Sequence, residues 1–285
     1  MLPVLLIGDF ALDLIYSDTI FQPLAGGSVF NVASLLRKHN IDVCFISRVG
    51  TDLPGKILLK QVIKLGIPEN TVLQDDNFQT SAAFCEYDSE GKAHYSFYKD
   101  KKDFILPDEK LWNRKFSLFH MGSSFAFSQT SFAAVMKVCD AMIKHKVPIT
   151  YDINLRKIPT DAEKERIFKL MNKAQIIKGS DEDFNFLYGT SEKKIIMNKI
   201  VSGNNKIGII TFGKSGAFLF SKSDSYFAEP NKIIKNAKSI GAGDSFMAGI
   251  IIFYQKNFSF DNLEKLGQFA NNIAVDFLLA NGCVQ

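Results

Sequence analysis

The chain has 285 residues, 46% of them hydrophobic and 26 of them Phe, so it can bury a large core, and open α/β folds reach this length as one unit. Lys plus Arg exceed Asp plus Glu by 34 to 30, and a net charge of +4 with no basic cluster argues against a nucleic-acid partner. Cys44, Cys85, Cys139 and Cys283 are scattered, with no C-x-x-C pair, and His39, His94, His120 and His145 are equally isolated. That argues against a zinc site or a disulfide framework and for reduced thiols.

The apolar start, residues 1–7, has no charged leader and runs straight into Gly8-Asp9, so it reads as a buried strand at 4–7 and not as a signal peptide. No apolar run approaches a membrane span, and a cytoplasmic protein is expected. Residues 12–21 follow as strand candidates for a small sheet. A glycine turn at 26–27 opens a helix with Val29, Val32, Ala33 and Leu36 on one face. A strand at 43–49 comes next, then two runs, 80–87 and 93–99, joined by Ser89-Glu90-Gly91-Lys92 as a β-hairpin.

Strands at 117–121, 147–151, 174–178 and 207–212 then alternate with helical patterns such as Phe132, Val135, Met136, Met142 and Ile143. A helix with Ile250, Ile251, Phe253 and Tyr254 and a last one near 261–279 complete the chain. This alternation predicts a doubly wound, mainly parallel α/β sheet flanked by helices. No linker divides it, so residues 1–285 read as one domain. The small sheet, from about 10–22 and 79–100, is either a lid over a cleft, an edge extension or a dimer surface.

Two glycine turns lead into helices. In Gly241-Ala242-Gly243-Asp244 the first-turn N–H groups and the positive helix end suit a transferring phosphoryl group, and Asp244 can take a proton from an attacking hydroxyl. The alternative is a plain turn with Asp244 capping the helix. In Ala25-Gly26-Gly27-Ser28-Val29-Phe30-Asn31, Ser28 is a candidate N-cap, and a sugar can lie against Gly26 and Gly27 with Asn31 on its hydroxyls. Asp13 is a carboxylate in an apolar stretch, suited to two adjacent hydroxyls or to solvent. No Gly-Lys-Ser/Thr follows either turn, and Gly8 starts no G-x-G-x-x-G, which removes Walker-type and dinucleotide folds.

Taken in order, these segments resemble the ribokinase-like, PfkB-type carbohydrate kinases over nearly the whole chain. Residues 25–33 and 240–249 resemble that family's two signatures. Arg48-Val49-Gly50-Thr51-Asp52 with Gly55, and Thr211-Phe212-Gly213-Lys214-Ser215-Gly216-Ala217, resemble stretches between them. The resemblance implies that Asp244 is the catalytic base and that Gly241, Ala242 and Gly243 form the anion hole. It also implies that Asp13, Gly26, Gly27 and Asn31 bind sugar, and that Thr211, Gly213, Gly216 and Asn271 lie on the ATP side. The 80–99 hairpin corresponds to the family's β-lid, through which members can form homodimers.

Within the family, Asp152-Ile153-Asn154-Leu155-Arg156 resembles the D-x-N-L-R segment of fructokinases, which implies acceptor-side contacts from Asn154 and Arg156. Lys99, in Phe97-Tyr98-Lys99, stands where many relatives carry Arg. The expected activity is transfer of the γ-phosphoryl group of ATP, with Mg²⁺, to a hydroxyl of a small sugar, fructose first. Kinases of ribose or of sugar acids such as 2-keto-3-deoxygluconate are alternatives on the same scaffold. A catalytically silent sugar-sensing or partner-binding homologue is the alternative of another class. Ser180 and Asp183 replace Asn and Glu of the magnesium-associated N-x-x-E motif, so a contact of Asp183 to Mg²⁺ is expected through water.

Lys238 stands where relatives often carry an Asp that helps to bind an activating potassium ion. An ammonium there disfavours a bound monovalent cation. Exchanging tetramethylammonium for potassium at fixed ionic strength should therefore leave the turnover rate unchanged, and a several-fold rise would overturn this expectation.

Overall fold

The computed structural model describes residues 1–17, 19–88, 93–201, 206–234 and 240–281. Lys238 and the 89–92 turn lie outside the described residues. The chain begins with β1 (Val4–Ile7), β2 (Ala11–Ser17) and β3 (Ile20–Gly26), then α1 (Ser28–Lys38), β4 (Val43–Gly50) and α2 (Leu53–Lys64). Next come β5 (Val72–Asp75), β6 (Ser81–Tyr87) and β7 (Ala93–Tyr98), then β8 (Leu118–Gly122), α3 (Ser123–Phe127) and α4 (Phe132–Lys144). After β9 (Ile149–Asp152) and α5 (Asp161–Lys173) follow β10 (Ile176–Ser180), α6 (Asp181–Tyr188), α7 (Lys193–Ile200) and β11 (Ile207–Thr211). The strands β12 (Ala217–Phe220) and β13 (Ser225–Ala228) precede α8 (Ala242–Asn257) and α9 (Leu263–Asn281).

Nine strands form one sheet in the order β13-β12-β11-β10-β9-β8-β1-β4-β5, parallel except where β12 pairs antiparallel with both its neighbours. β1 lies inside the sheet between β8 and β4, and all four of its residues are fully buried. Its side chains alternate between two cores: Val4 and Leu6 on the side of α1 and α8, Leu5 and Ile7 on the side of α4 and α5. A strand covered on both faces reads as an unbroken apolar run for this reason. The face of α1 expected from spacing is the one buried, with Val29, Val32, Ala33 and Leu36 all at 0% exposure.

The chain leaves β1 toward β4 and later returns to its other side through β8, so the winding reverses at β1/β8. Ligand clefts in such sheets open beyond the carboxyl ends of the strands at this reversal.

The expected parallel strands are present, with small shifts of boundary. The strand placed at 147–151 starts at Ile149, because Pro148 has no N–H for the ladder; its carbonyl accepts instead from Phe119 N at 2.9 Å. β5, β12 and β13 were not marked in the sequence. They are four-residue strands at the two ends of the sheet, β5 and β13 as edges and β12 next to one, too short for their alternation to stand out.

The second sheet has the order β3-β2-β6-β7, with β2 and β6 parallel and the outer pairs antiparallel. Its base is tied to the large sheet through the Arg48–Asp52 segment. Asp52 caps α2 by accepting from Gly55 N at 2.9 Å, and it also takes both donors of Thr80, the residue before β6. Arg48 donates to the carbonyls of Lys102 and Asp103 beyond β7 and lies 3.9 Å from the Phe78 ring centre. Among the described residues no helix is long and apolar enough to cross a membrane.

Candidate active site

A cleft of about 1240 Å³ lies between the carboxyl ends of the large sheet's strands and one face of the small sheet. Two helix starts meet at its floor. α1 begins after Gly27, whose φ of 112° is left-handed; a Cβ there would stand 2.3 Å from the Asp9 carbonyl. α8 begins after Gly241, at φ 82°. Asp244 is the third residue of α8 and is 8% exposed.

Neither open question about these turns ends in a helix cap. Asp244 does not cap α8: its two oxygens accept from Ser28 Oγ at 2.7 Å and Asn31 Nδ2 at 2.8 Å, both on α1. Ser28 is not the N-cap of α1. Gly27 occupies that position without a side-chain bond, and the Ser28 hydroxyl points across to Asp244 while accepting from Asn154 Nδ2 at 3.2 Å. Asn154 reaches it from a left-handed backbone conformation, φ 43°, just past β9.

Above this floor, Asp13 on β2 faces the cleft beside Gly26, where a Cβ would stand 2.2 Å from its carboxylate. Burial pushes the Asp13 carboxyl up to about 6. The Arg156 guanidinium pulls it back, the Asp244 carboxylate adds to the rise, and Lys99 lowers it slightly. Arg156 stacks 5.3 Å from the Tyr95 ring centre. Lys99 is ion-paired to Asp9 and sits 5.4 Å from the Phe97 ring centre.

At the opposite end the cleft reaches Thr211 at the end of β11, with Gly241, Gly243, Ser180 and Asp183 beside it. Asp183 is the N3 residue of a capping box on α6. One oxygen accepts from Ser180 N at 2.7 Å and the other from Leu155 N at 2.6 Å. Burial raises its pKa above the ordinary carboxylate value. A backbone donor on each oxygen makes Asp183 a poor direct metal ligand. Among the described residues no group of three or more His, Cys, Asp or Glu is placed to hold a metal.

The structure gathers Asp13, Gly27, Asn31, Lys99, Asn154, Arg156, Asp183, Thr211, Gly241, Gly243 and Asp244 around one cleft. Gly26 backs Asp13 from behind, and Ala242 lies within the first turn of α8. Gly213, Gly216 and Asn271 stand outside the cleft walls. Gly216 and Asn271 converge instead on the Ala228 carbonyl: Asn271 Nδ2 donates to it at 2.9 Å, and a Cβ on Gly216 would come within 2.2 Å.

Among the wall residues not foreseen from sequence are Asp9, Ser28 as a partner of Asp244, Tyr95, and Lys178. Lys178 Nζ donates to Asp152 Oδ2 at 2.7 Å, with side chains 6% and 1% exposed. Burial pushes Asp152 up to about 6 while the Lys178 ammonium holds it down. Taking such charges out of water costs several kcal/mol per ion, so the pair is no evident source of stability. Both residues stood in motifs singled out from the sequence. That they are direct neighbours follows only from the β9/β10 register.

Comparison with known proteins agrees with this architecture. Residues 8–284 match the model of the pfkB family carbohydrate kinases. A probable fructokinase-5 from Arabidopsis thaliana is 29% identical over 275 residues, covering 93% of this chain and 82% of that protein. The structure of a fructokinase from Xylella fastidiosa with bound ATP superposes with a TM-score of 0.86 at 16% identity, covering 98% of this chain and 93% of the other. A fructokinase from Vibrio cholerae O395 in fructose-, ADP- and calcium-bound form gives 0.84 at 20% identity, with 96% and 90% covered. The fold is thus the ribokinase-like one, a large, mostly parallel sheet with a small second sheet. The chain belongs to the pfkB family of carbohydrate kinases and is an ATP-dependent enzyme of that class.

The electrostatics of Asp13 can be read directly. Its carboxyl carbon should titrate near 6 by ¹³C NMR. Arg156→Gln should raise that midpoint by removing a favourable cation, and Asp244→Asn should lower it by removing a like charge. With a pKa raised above the unfolded 3.8, Asp13 contributes stability fully below that pH and loses it as pH rises through about 6.

Proposed function

We propose that this enzyme transfers the γ-phosphoryl group of ATP to a hydroxyl of fructose, with Asp244 as general base. The observation that carries the mechanism is the Asp244 carboxylate, fixed at the start of α8 by Ser28 and Asn31 and facing the cleft. The sugar hydroxyl loses its proton to Asp244 as its oxygen bonds to phosphorus and the bond from phosphorus to the ADP oxygen breaks. The N–H groups of Gly241, Ala242 and Gly243 face the developing charge at the positive end of a sixteen-residue helix. Mg²⁺ bound with the nucleotide would neutralise charge on its phosphates, and Asp183 would hold it through water.

Asp13, Asn31 and Asn154 supply acceptors and donors for sugar hydroxyls, with Gly26 and Gly27 giving the ring room. Thr211, Gly213, Gly216 and Asn271 form the nucleotide side. The small sheet acts as a lid whose Tyr95 and Phe97 cover the sugar. The charge at the acceptor end favours a neutral sugar over a sugar acid. Lys99 is already paired with Asp9, and Asp13 and Asp244 stand with Arg156 around the remaining space. An organised base with its two partners also speaks for a working enzyme over a silent sugar sensor.

The outer face of the lid carries Tyr16, Phe21, Phe84 and Tyr98, 37–63% exposed and in mutual ring contact. We assign this face to pairing with a second copy of the chain, since exposed aromatic clusters of this kind mark interfaces. Light scattering should give twice the chain mass for the native protein and the single mass for a Phe21→Glu/Tyr98→Glu variant; a monomeric native protein overturns the assignment.

A coupled ADP-release assay tests the activity on fructose, ribose, 2-keto-3-deoxygluconate, adenosine and fructose 6-phosphate. Fructose should be turned over selectively, and Asp244→Asn should lower kcat roughly 10²–10⁴-fold with little change in KM. Selective turnover of ribose or the sugar acid would replace fructose, and near-native activity of Asp244→Asn would remove the proposed base.

A further inference from the structure

The mechanism above leaves the Lys178–Asp152 pair without a task, although it stands at the phosphoryl end of the cleft. The two residues are direct partners in the β10/β9 register, near the strand ends that open on the cleft. Lys178 Nζ spends one of its three N–H groups on Asp152 Oδ2. Asp152 Oδ1, equally buried, accepts from nothing among the described residues. The ladder already joins the strands here, with Ile153 N donating to the Lys178 carbonyl at 2.8 Å, so the ion pair adds little to holding them together.

Gly243 supplies the second observation. Its φ is not left-handed, so its backbone tolerates a side chain. Among the described residues beyond its chain neighbours and its own helix backbone, the one heavy atom within 4 Å of a Cβ built there is Lys178 Nζ, at 3.4 Å. Protein packing therefore does not demand a glycine. What the missing Cβ leaves is an open volume bordered by first-turn N–H groups of α8 on one side and a buried ammonium on the other. Asp244, the proposed base, is the next residue. Its carboxylate is close enough to push the Asp152 carboxyl upward, which puts the pair within electrostatic reach of the reacting groups.

We propose that Lys178 is a catalytic residue whose ammonium contacts the transferring phosphoryl group in front of Gly243, and that Asp152 is the positioning residue that aims it. This rests on the kinase reading above. Lys178 keeps its proton throughout: the sugar oxygen–phosphorus bond forms, the bond to the ADP oxygen breaks, and the hydroxyl proton goes to Asp244. The ammonium uses its remaining N–H groups to offset charge on the phosphoryl oxygens, as a point charge that follows the group during transfer. Asp152 prevents it from withdrawing while the site is empty.

Equilibrium binding of ADP and of a β,γ-imido ATP analogue, measured by calorimetry without sugar, separates this contact from a structural one. Lys178→Gln should weaken the analogue by about tenfold, as expected for loss of a charged hydrogen bond, and leave ADP within about twofold. Its kcat should fall roughly 10²–10³-fold with little change in the sugar KM. The Lys178→Gln/Asp152→Asn variant exchanges the ion pair for a neutral amide pair without stranding a buried carboxylate, so it keeps the test available if the single variant does not fold. Asp152→Asn alone retains the cation and should keep the preference for the analogue over ADP. Equal losses for analogue and ADP, or a native kcat in either glutamine variant, would overturn the proposal. If the native enzyme turned over no sugar, the kinase reading would fall instead, because the nucleotide preference is read independently of it.

Discussion

A carboxylate in the first turn of one helix, gripped by two side chains from the first turn of another, fixes the geometry of the whole cleft. Asp244 on α8 and its partners Ser28 and Asn31 on α1 are separated by more than two hundred residues, yet both oxygens of the carboxylate are committed across that gap. The contact is possible because each helix starts at a glycine with a left-handed backbone, which turns the chain sharply and presents the opening turn to the cleft. It also places the carboxylate beside the opening turns of two helices. Packing between α1 and α8 also holds the two helices against one another.



The charges along the cleft are arranged by partner. Beside the small sheet Lys99 is spent on Asp9, and Arg156 lies over an aromatic ring within reach of Asp13, whose carboxyl burial has made hard to ionise. Toward Thr211 Lys178 is held by Asp152, and each oxygen of Asp183 accepts from one backbone N–H. Lys99, Arg156 and Lys178 are thus each restrained by a carboxylate or a ring before any ligand arrives, which reduces the reorganisation left for the moment of reaction.

Much of this was legible in the sequence, and the divide between what was and was not is physical. The fully buried strands announced themselves as apolar runs, and the two glycine turns as breaks opening helices, because those signals are local. The four-residue strands β5, β12 and β13 carried too few residues for a period to show. Residue types at the site were equally visible, but their partners were not. Ser28 has the composition of a cap, and only the approach of α8 gives its hydroxyl a better acceptor. Lys178 and Asp152 looked like members of two separate motifs until strand register set them side by side. Gly216 and Asn271 resembled nucleotide contacts, while their visible engagement is with the Ala228 carbonyl.

The join between the small sheet and α1 has a mechanical side. β3 ends at Gly26 and α1 starts at Ser28, so Gly27 alone separates a strand of the small sheet from the hydroxyl that grips Asp244. There is no slack in that connection, and a rigid tilt of the small sheet is delivered to the first turn of α1 almost undiminished. Length changes are therefore tolerable at the far end of the β2–β3 hairpin but not at its root, where one inserted residue would rotate the grip away from the carboxylate it holds.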